Sequence, residues 1–570
     1  MATTTSPHQE TKRTLKSWFP ILTWLPAYDR SWLRPDVIAA LTLWALLVPE
    51  AMAYAGIAGM PPETGLYAAP LALIAYAIFG TSKHLNVGPS SAVAALSFSV
   101  VFSLGVAAGS EEFILLTIAL SLVVGVMLIV GGFLKLGVLA DFLSHPVLDG
   151  FVVGVAISIA VGQLDKILGY EPAGYNFVPE LLQFVGHINL THIPTLIVGG
   201  TSLALLFAMH KFTPKLPAPL VVLFLAITAS TIFDFAARGI HIVGDIPAGL
   251  PKFGIPEELG LATLFKIAPS ALGVSLVAFA ESVAIARAYA TKYGYELDAN
   301  QELIALGASC LGSGFSGSFT VDGSMSRTAA GDTAGGKSQM VSLITAVAIL
   351  ITAVALTGLF YNLPEATLGA IVIHAVWKNI NFRKIGKYRS ITNSDFATAI
   401  VAMIGVLALG LLEGLLLAAF LGLIMLLIGM KRRGTYVLGK VPETAVYRSI
   451  EHFPAAEIYP GLLILRFDGT LFFANAHDFV IAVQRAITAT EPKPTVILLD
   501  CESINDIDAT AVMALNELQK QLNSSGIHLR FARVKTDVMG VMERAGLTAA
   551  IPVDQFYADI QTAVDAYLTG

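Results

Sequence analysis

LNVGPSSAV, residues 85–93, is the stretch on which the fold turns. A short extended run reaches Gly88 and Pro89, and Ser90 and Ser91 then open a series of small and apolar residues. Glycine allows close backbone approach, proline suits a first helical turn, and serine offers a hydroxyl donor. The surroundings are apolar on both sides, so the stretch reads as a helix that begins inside a membrane. A second such start, FTVDGSMSRT, occupies residues 319–328. Upstream of each lies an apolar helix carrying one glutamate: VPEAMAYA (48–55) with Glu50, and FAESVAIA (279–286) with Glu281. Aligning the two glutamates brings Ser90 within three residues of Ser324, so the chain holds an internal repeat.

The composition agrees. The chain has 570 residues, 55% hydrophobic and only 13% charged, with a mean hydropathy of +0.71; soluble domains average about 25% charged. An ordinary soluble enzyme is excluded. Apolar segments recur from about residue 36 to about 430, fourteen of them, centred near 45, 71, 97, 122, 154, 198, 225, 277, 306, 332, 350, 371, 403 and 421. Seven segments per repeat is an odd number, so the two halves are inverted across the bilayer, a transporter architecture with substrate held at the repeat interface. Cys310 and Cys501 are too few and too far apart for a disulfide framework or a CxxC metal site. The polar, basic start MATTTSPHQETKRTLKSWF lacks an apolar core, so no cleavable signal peptide is expected.

Charge sets an expected orientation. The even connections carry Lys83, Lys135, Lys211 with Lys215, Arg287 with Lys292, Lys337, and the cluster Arg383, Lys384, Lys387 and Arg389. The odd ones include Glu111 and Glu112, Glu171 and Glu180, Glu257 and Glu258, Glu365 and Glu413. Lys12, Arg13 and Lys16 precede the first segment, and Lys431, Arg432 and Arg433 follow the last. Positive charge stays in the cytoplasm, which puts both termini and every even connection there.

Beyond Arg433 the pattern changes to ordinary charge density. GLLILRF (461–467), TVILLD (495–500) and IHLRFARV (527–534) read as buried strands. ANAHDFVIAVQRAIT and DATAVMALNELQKQL carry helical spacing, with Asp508 as an N-cap. The expected organisation is an N-terminal segment 1–30, a transport domain 31–432 (repeats about 31–240 and about 260–432), and a cytoplasmic α/β domain 436–570.

A helix that starts in mid-membrane aims unpaired N–H groups and about half a positive charge at whatever precedes it. Two such starts facing each other make an anion pocket that needs neither metal nor cofactor. Ser90, Ser91, Ser324 and Ser326 add hydroxyl donors, and Arg327 adds a cation early in the second broken helix. A charged carboxylate in mid-membrane costs about 2.5 to 3.5 kcal/mol and is functional by default, which singles out Glu281 as a proton carrier and, beside the break at Pro49, Glu50. Asp322 reads as an N-cap and His374 as a packed side chain.

PPETGLYAAPLALIAYAIFGTSKHLNVGPSSAV (61–93), GSMSRTA (323–329) and the C-terminal α/β domain together resemble the SulP anion transporters, the sulfate permease family that also contains prestin. The resemblance covers about 30 to 560, with Thr64 standing where the family pattern has an aromatic. It implies an α-helical polytopic membrane protein of two inverted seven-helix repeats, like the uracil permease, divided into core and gate, plus a cytoplasmic STAS domain, usually as a homodimer. By motif, it implies an anion site of Glu50, Tyr54, Ser90, Ser324, Met325, Ser326 and Arg327. Glu281 matches the position tied to proton or sodium coupling, and Thr510 matches a regulatory phosphosite of STAS relatives.

The expected function is secondary active uptake of an inorganic anion, sulfate driven by protons, across a bacterial plasma membrane, with no nucleic-acid partner. Sodium-coupled bicarbonate uptake and chloride exchange are the alternatives within transport. A membrane-anchored STAS regulator is the alternative outside it, and the two intramembrane glutamates count against that, because an anchor has no use for ionisable groups in mid-membrane.

Overall fold

The structure is a computed structural model that describes residues 15–141, 144–170, 177–213, 216–256, 259–431 and 434–569. Of the charges invoked for orientation, Lys12, Arg13, Glu171, Lys215, Glu257, Glu258, Arg432 and Arg433 lie outside the described residues. Contacts divide the chain into two units, Met1–Gly422 and Leu423–Gly570.

Each expected centre in the membrane unit falls within a helix. In order these are Leu33–Ile57, Pro62–Phe79, Ser91–Phe102, Glu111–Phe133, His145–Val161, Ile193–Phe212 and Ala218–Phe233, then Leu261–Tyr293, Ala299–Phe315, Met325–Thr333, Met340–Ile351, Glu365–Trp377, Asn393–Leu409 and Leu411–Lys431. They are called the first to fourteenth helices below. Among the described residues, seven helices are long and apolar enough to cross a membrane. The fourth shows why such a helix forms where it does. Ser110 caps it through the Phe113 amide at 3.2 Å, Glu111 and Glu112 occupy the first turn where the dipole favours them, and the rest of its 23 residues are mostly apolar. The third and tenth helices have 12 and 9 residues, about 18 and 14 Å at 1.5 Å per residue, half a bilayer each.

Small residues let the helices meet closely. A Cβ on Gly307 would lie 2.6 Å from the Gly125 carbonyl oxygen, so the fourth and ninth helices touch backbone to backbone. The basic cluster before the thirteenth helix forms its own short helix, Phe382–Ile391, tied to the fifth helix by Lys384 Nζ and Tyr388 hydroxyl on Asp149 at 2.7 and 2.6 Å.

The second unit is a six-stranded sheet in the order Tyr447–Ser449, Thr435–Lys440, Leu462–Phe467, Val496–Asp500, His528–Ala532, Phe556–Tyr557. The last four strands run parallel, and the first two pair antiparallel. The expected strands are its central three. All five residues of Val496–Asp500 are buried, as a parallel strand covered on both faces requires. Helices Ala476–Ala489 and Ala509–Ser524 match the expected helical runs, and the Asp508 carboxylate caps the latter through the Ala511 amide at 2.8 Å.

Candidate functional site

The two half-helices start from one ribbon. Val87–Gly88 pairs antiparallel with Asp322–Gly323, Val87 opposite Gly323 and Gly88 opposite Asp322, and the Ser324 amide adds a bond to the Asn86 carbonyl at 3.0 Å. Antiparallel entry sends the third and tenth helices away from a common origin, as inverted repeats demand. Gly323 makes this possible, because a Cβ there would lie 2.9 Å from Leu85 Cδ1 and 3.1 Å from Ser282 Cα of the eighth helix. Gly88 is less constrained, because a Cβ there would come no closer than 3.5 Å, to Arg327 Nη2.

Ser90 and Ser324 are the N-caps. Ser324 Oγ accepts from the Arg327 amide at 3.4 Å and meets Ser326 Oγ at 3.0 Å. Ser90 is extended and makes no side-chain cap, and its buried hydroxyl has no partner among the described residues. The first-turn amides of the third helix are therefore left for another acceptor. Pro89 stands before the cap and not within the first turn.

Arg327 is fully buried at the centre. Its Nε donates to Asn86 Oδ1 at 3.0 Å, its Nη1 donates to the Pro89 carbonyl at 2.6 Å and stands 3.6 Å from Glu50 Oε2, and its Nη2 is buried with no partner among the described residues. The guanidinium thus joins the first helix, the start of the third and the tenth. Glu50 and Tyr54 are buried at 6% and 5% exposure, one turn apart on the first helix. Met325 and Ser326 are exposed, Met325 at 53%.

Glu281 comes to the same place from the eighth helix. The Gly323 amide donates to Ser282 Oγ at 2.8 Å, and Glu281 lies beside Asp322. Here the structure corrects the sequence reading: Asp322 is not an N-cap. It sits in the ribbon two residues before the capping Ser324, with its carboxylate buried and without a hydrogen-bond partner among the described residues.

Of the sequence-predicted residues, Glu50, Tyr54, Ser90, Ser324, Arg327 and Glu281 converge, and Met325 and Ser326 stand at the exposed start of the tenth helix. Sequence reasoning missed Asn86, whose side chain holds Arg327 and whose amide donates to Thr328 Oγ1 at 3.1 Å. It also missed Ser282. The polarity of Asn86, two residues before Gly88 in an apolar stretch, is the signal that was available. His374 packs edge-on against Phe207 at 5.3 Å, as a packed side chain should. Thr510 lies in the other unit, exposed in the first turn of Ala509–Ser524.

The comparisons fit this geometry. Residues 33–402 match the sulfate permease family and 453–563 match the STAS domain. A probable sulfate transporter of Mycobacterium tuberculosis is 36% identical over 561 residues, 97% of this chain and 99% of that one. The chloroplastic sulfate transporter 4.1 of Arabidopsis thaliana is 32% identical over 572 residues, 96% of this chain and 82% of that one. Among solved structures, the murine solute carrier 26 family member A9 anion transporter in the inward-facing state gives a TM-score of 0.92 at 22% identity, covering 99% of this chain and 97% of that one. The transmembrane domain of a cyanobacterium bicarbonate transporter gives 0.61 at 21% identity, covering 68% and 98%. At these identities the two structures speak for the fold alone.

Proposed function

The chain belongs to the sulfate permease family, and on that premise we propose that it is a secondary active transporter carrying sulfate inward with protons. The anion rests between the starts of the third and tenth helices. One observation carries this reading: two mid-membrane helix starts are tied into a single ribbon, with the Ser90 hydroxyl and Arg327 Nη2 buried and unpartnered beside them. Together the two ends offer about one positive charge. Glu50 stands 3.6 Å from Arg327 Nη1, and the guanidinium acts mainly by holding the pocket in shape and by offering its remaining N–H. The names of the relatives in Mycobacterium and Arabidopsis support sulfate as the substrate.

Glu281 carries the coupling proton. A negative carboxylate next to the anion repels it by about 4 kcal/mol per unit of anion charge at 4 Å and an effective dielectric constant of 20, about 8 kcal/mol for sulfate, whereas a neutral one leaves the helix ends unopposed. Both repeats contribute to the pocket, so sliding a core that holds the paired half-helices, with the first and eighth helices bonded to them, against the gate exposes it first to one side and then to the other. Both termini and the STAS domain lie in the cytoplasm, as the basic even connections indicate, and the unit of function is a homodimer. The decisive experiment is uptake of labelled sulfate, bicarbonate and chloride by purified protein in liposomes under imposed proton or sodium gradients. Sulfate accumulation driven by a proton gradient is expected. Accumulation that follows sodium, or bicarbonate alone, would refute the assignment.

A further inference from the structure

The Asp322 carboxylate caps no helix and forms no ion pair among the described residues. It is fully buried, yet neither carboxylate oxygen has a hydrogen-bond partner among the described residues. A charged carboxylate buried with no helix to cap and no cation bonded to it costs several kcal/mol, so its presence calls for another explanation. Its surroundings are specific. Glu281 of the eighth helix lies directly beside it, fixed there by the bond between Ser282 Oγ and the amide of Gly323. The Ser90 hydroxyl adjoins it from the third helix, Arg327 faces it from the tenth, and Tyr54 of the first and Cys310 of the ninth lie within electrostatic range. Arg327 is already engaged by Asn86, Pro89 and Glu50, so among these groups none cancels a negative charge on Asp322 outright.

We propose that Asp322 and Glu281 form a two-proton site, so that two protons enter with each divalent anion. The proposal rests on the transport reading above. It makes the charge balance. With both carboxylates ionised and no anion, the pair carries two negative charges. With both protonated and sulfate bound, the same region again carries two. The protons come from water on the outer side and return to water on the inner side, so the loaded and the empty site cross the membrane with equal charge. A single carboxylate would leave the loaded form one charge more negative than the empty one.

The test is the linkage between protons and anion in the purified full-length protein, with sulfate affinity measured by calorimetry over a series of pH values. Two coupled protons make affinity rise by up to about a hundredfold per unit fall in pH, and one proton makes it rise about tenfold. The wild type is expected to approach the steeper limit and Asp322→Asn the shallower. Glu281→Gln with Asp322→Asn should be independent of pH. Asp322→Thr, which lacks a titratable group, should behave as Asp322→Asn and guards against a fault peculiar to the amide. Sulfate uptake by wild-type liposomes should also carry no net current. A wild-type dependence no steeper than tenfold, a slope unchanged in both Asp322 variants, or an affinity that follows sodium at fixed pH each overturns the two-proton site. Wild-type protein that binds no anion at any pH overturns the transport reading and this proposal with it.

Discussion

Replacing Arg327 separates a ligand from a clasp. In the ligand view, Arg327→Ala weakens sulfate binding and leaves the empty protein alone. The structure predicts otherwise. Truncation removes the bonds to Asn86 Oδ1 and to the Pro89 carbonyl and strands Glu50, which is only 6% exposed. Breaking a buried charge pair costs about 3 to 5 kcal/mol, and hydrogen bonds to charged groups are worth about 1.5 to 3 kcal/mol each. Some of these costs overlap, so about 4 kcal/mol is expected, a large share of a stability of about 5 to 15 kcal/mol. The assay is unfolding of the detergent-purified protein in buffer without binding anions. Glu50→Gln alone should cost less, because Arg327 keeps its other two acceptors. The Glu50→Gln, Arg327→Ala double variant should be more stable than the sum of the single losses implies by about 1 to 3 kcal/mol, since contacting residues do not add. Arg327→Lys should recover only part, because an ammonium cannot reproduce a fork aimed at three acceptors. Arg327→Ala within about 1 kcal/mol of wild type without anion would refute the clasp and return Arg327 to the ligand role.

Three further outcomes are expected. A membrane-impermeant thiol reagent applied outside should label a cysteine placed at Glu112 and miss one placed at Lys387; native Cys310 and Cys501 are buried, and burial also pushes the Cys501 thiol above its ordinary range, so background is low. The opposite labelling would invert the proposed orientation. Protein ending near residue 435 should still bind sulfate as a monodisperse species, since the proposed site lies within the membrane unit; complete loss of binding would show that the STAS domain contributes to it. Gly323→Ala should lower thermal stability by about 1 to 3 kcal/mol through overpacking against Ser282, and Gly88→Ala should cost clearly less; equal losses would contradict the close approach at the ribbon.

The sequence made the periodic features legible and the pairings illegible. Long apolar runs and their breaks located the fourteen helices, because the bilayer forces each span to satisfy its own backbone. Ser90 and Ser324 were readable as helix starts from local chemistry. That Arg327 meets Glu50 was not, since nothing local marks a contact between residues so far apart in the chain. Asp322 was misassigned for a related reason: aspartate before a helix suits an N-cap, but Ser324 takes that place and the ribbon turns Asp322 toward Glu281. In the second unit, the three largely buried strands announced themselves, whereas Thr435–Lys440, Tyr447–Ser449 and Phe556–Tyr557 were missed. They are short or mixed in polarity and sit toward the sheet edges, where burial imposes less of a pattern.

The ribbon also constrains how the molecule can be made. Val87 pairs with Gly323, 236 positions further along the chain, so during synthesis the first strand emerges long before its partner exists. Until then its amides and carbonyls have no neighbour to bond, and lipid offers none. A nascent chain stopped before residue 323 should therefore keep the region of residues 85–90 in a watery or chaperoned setting, readable as thiol accessibility of a cysteine placed at Val87. That accessibility should vanish once the second repeat has left the ribosome, making the birth of the pocket a late and single event in biogenesis.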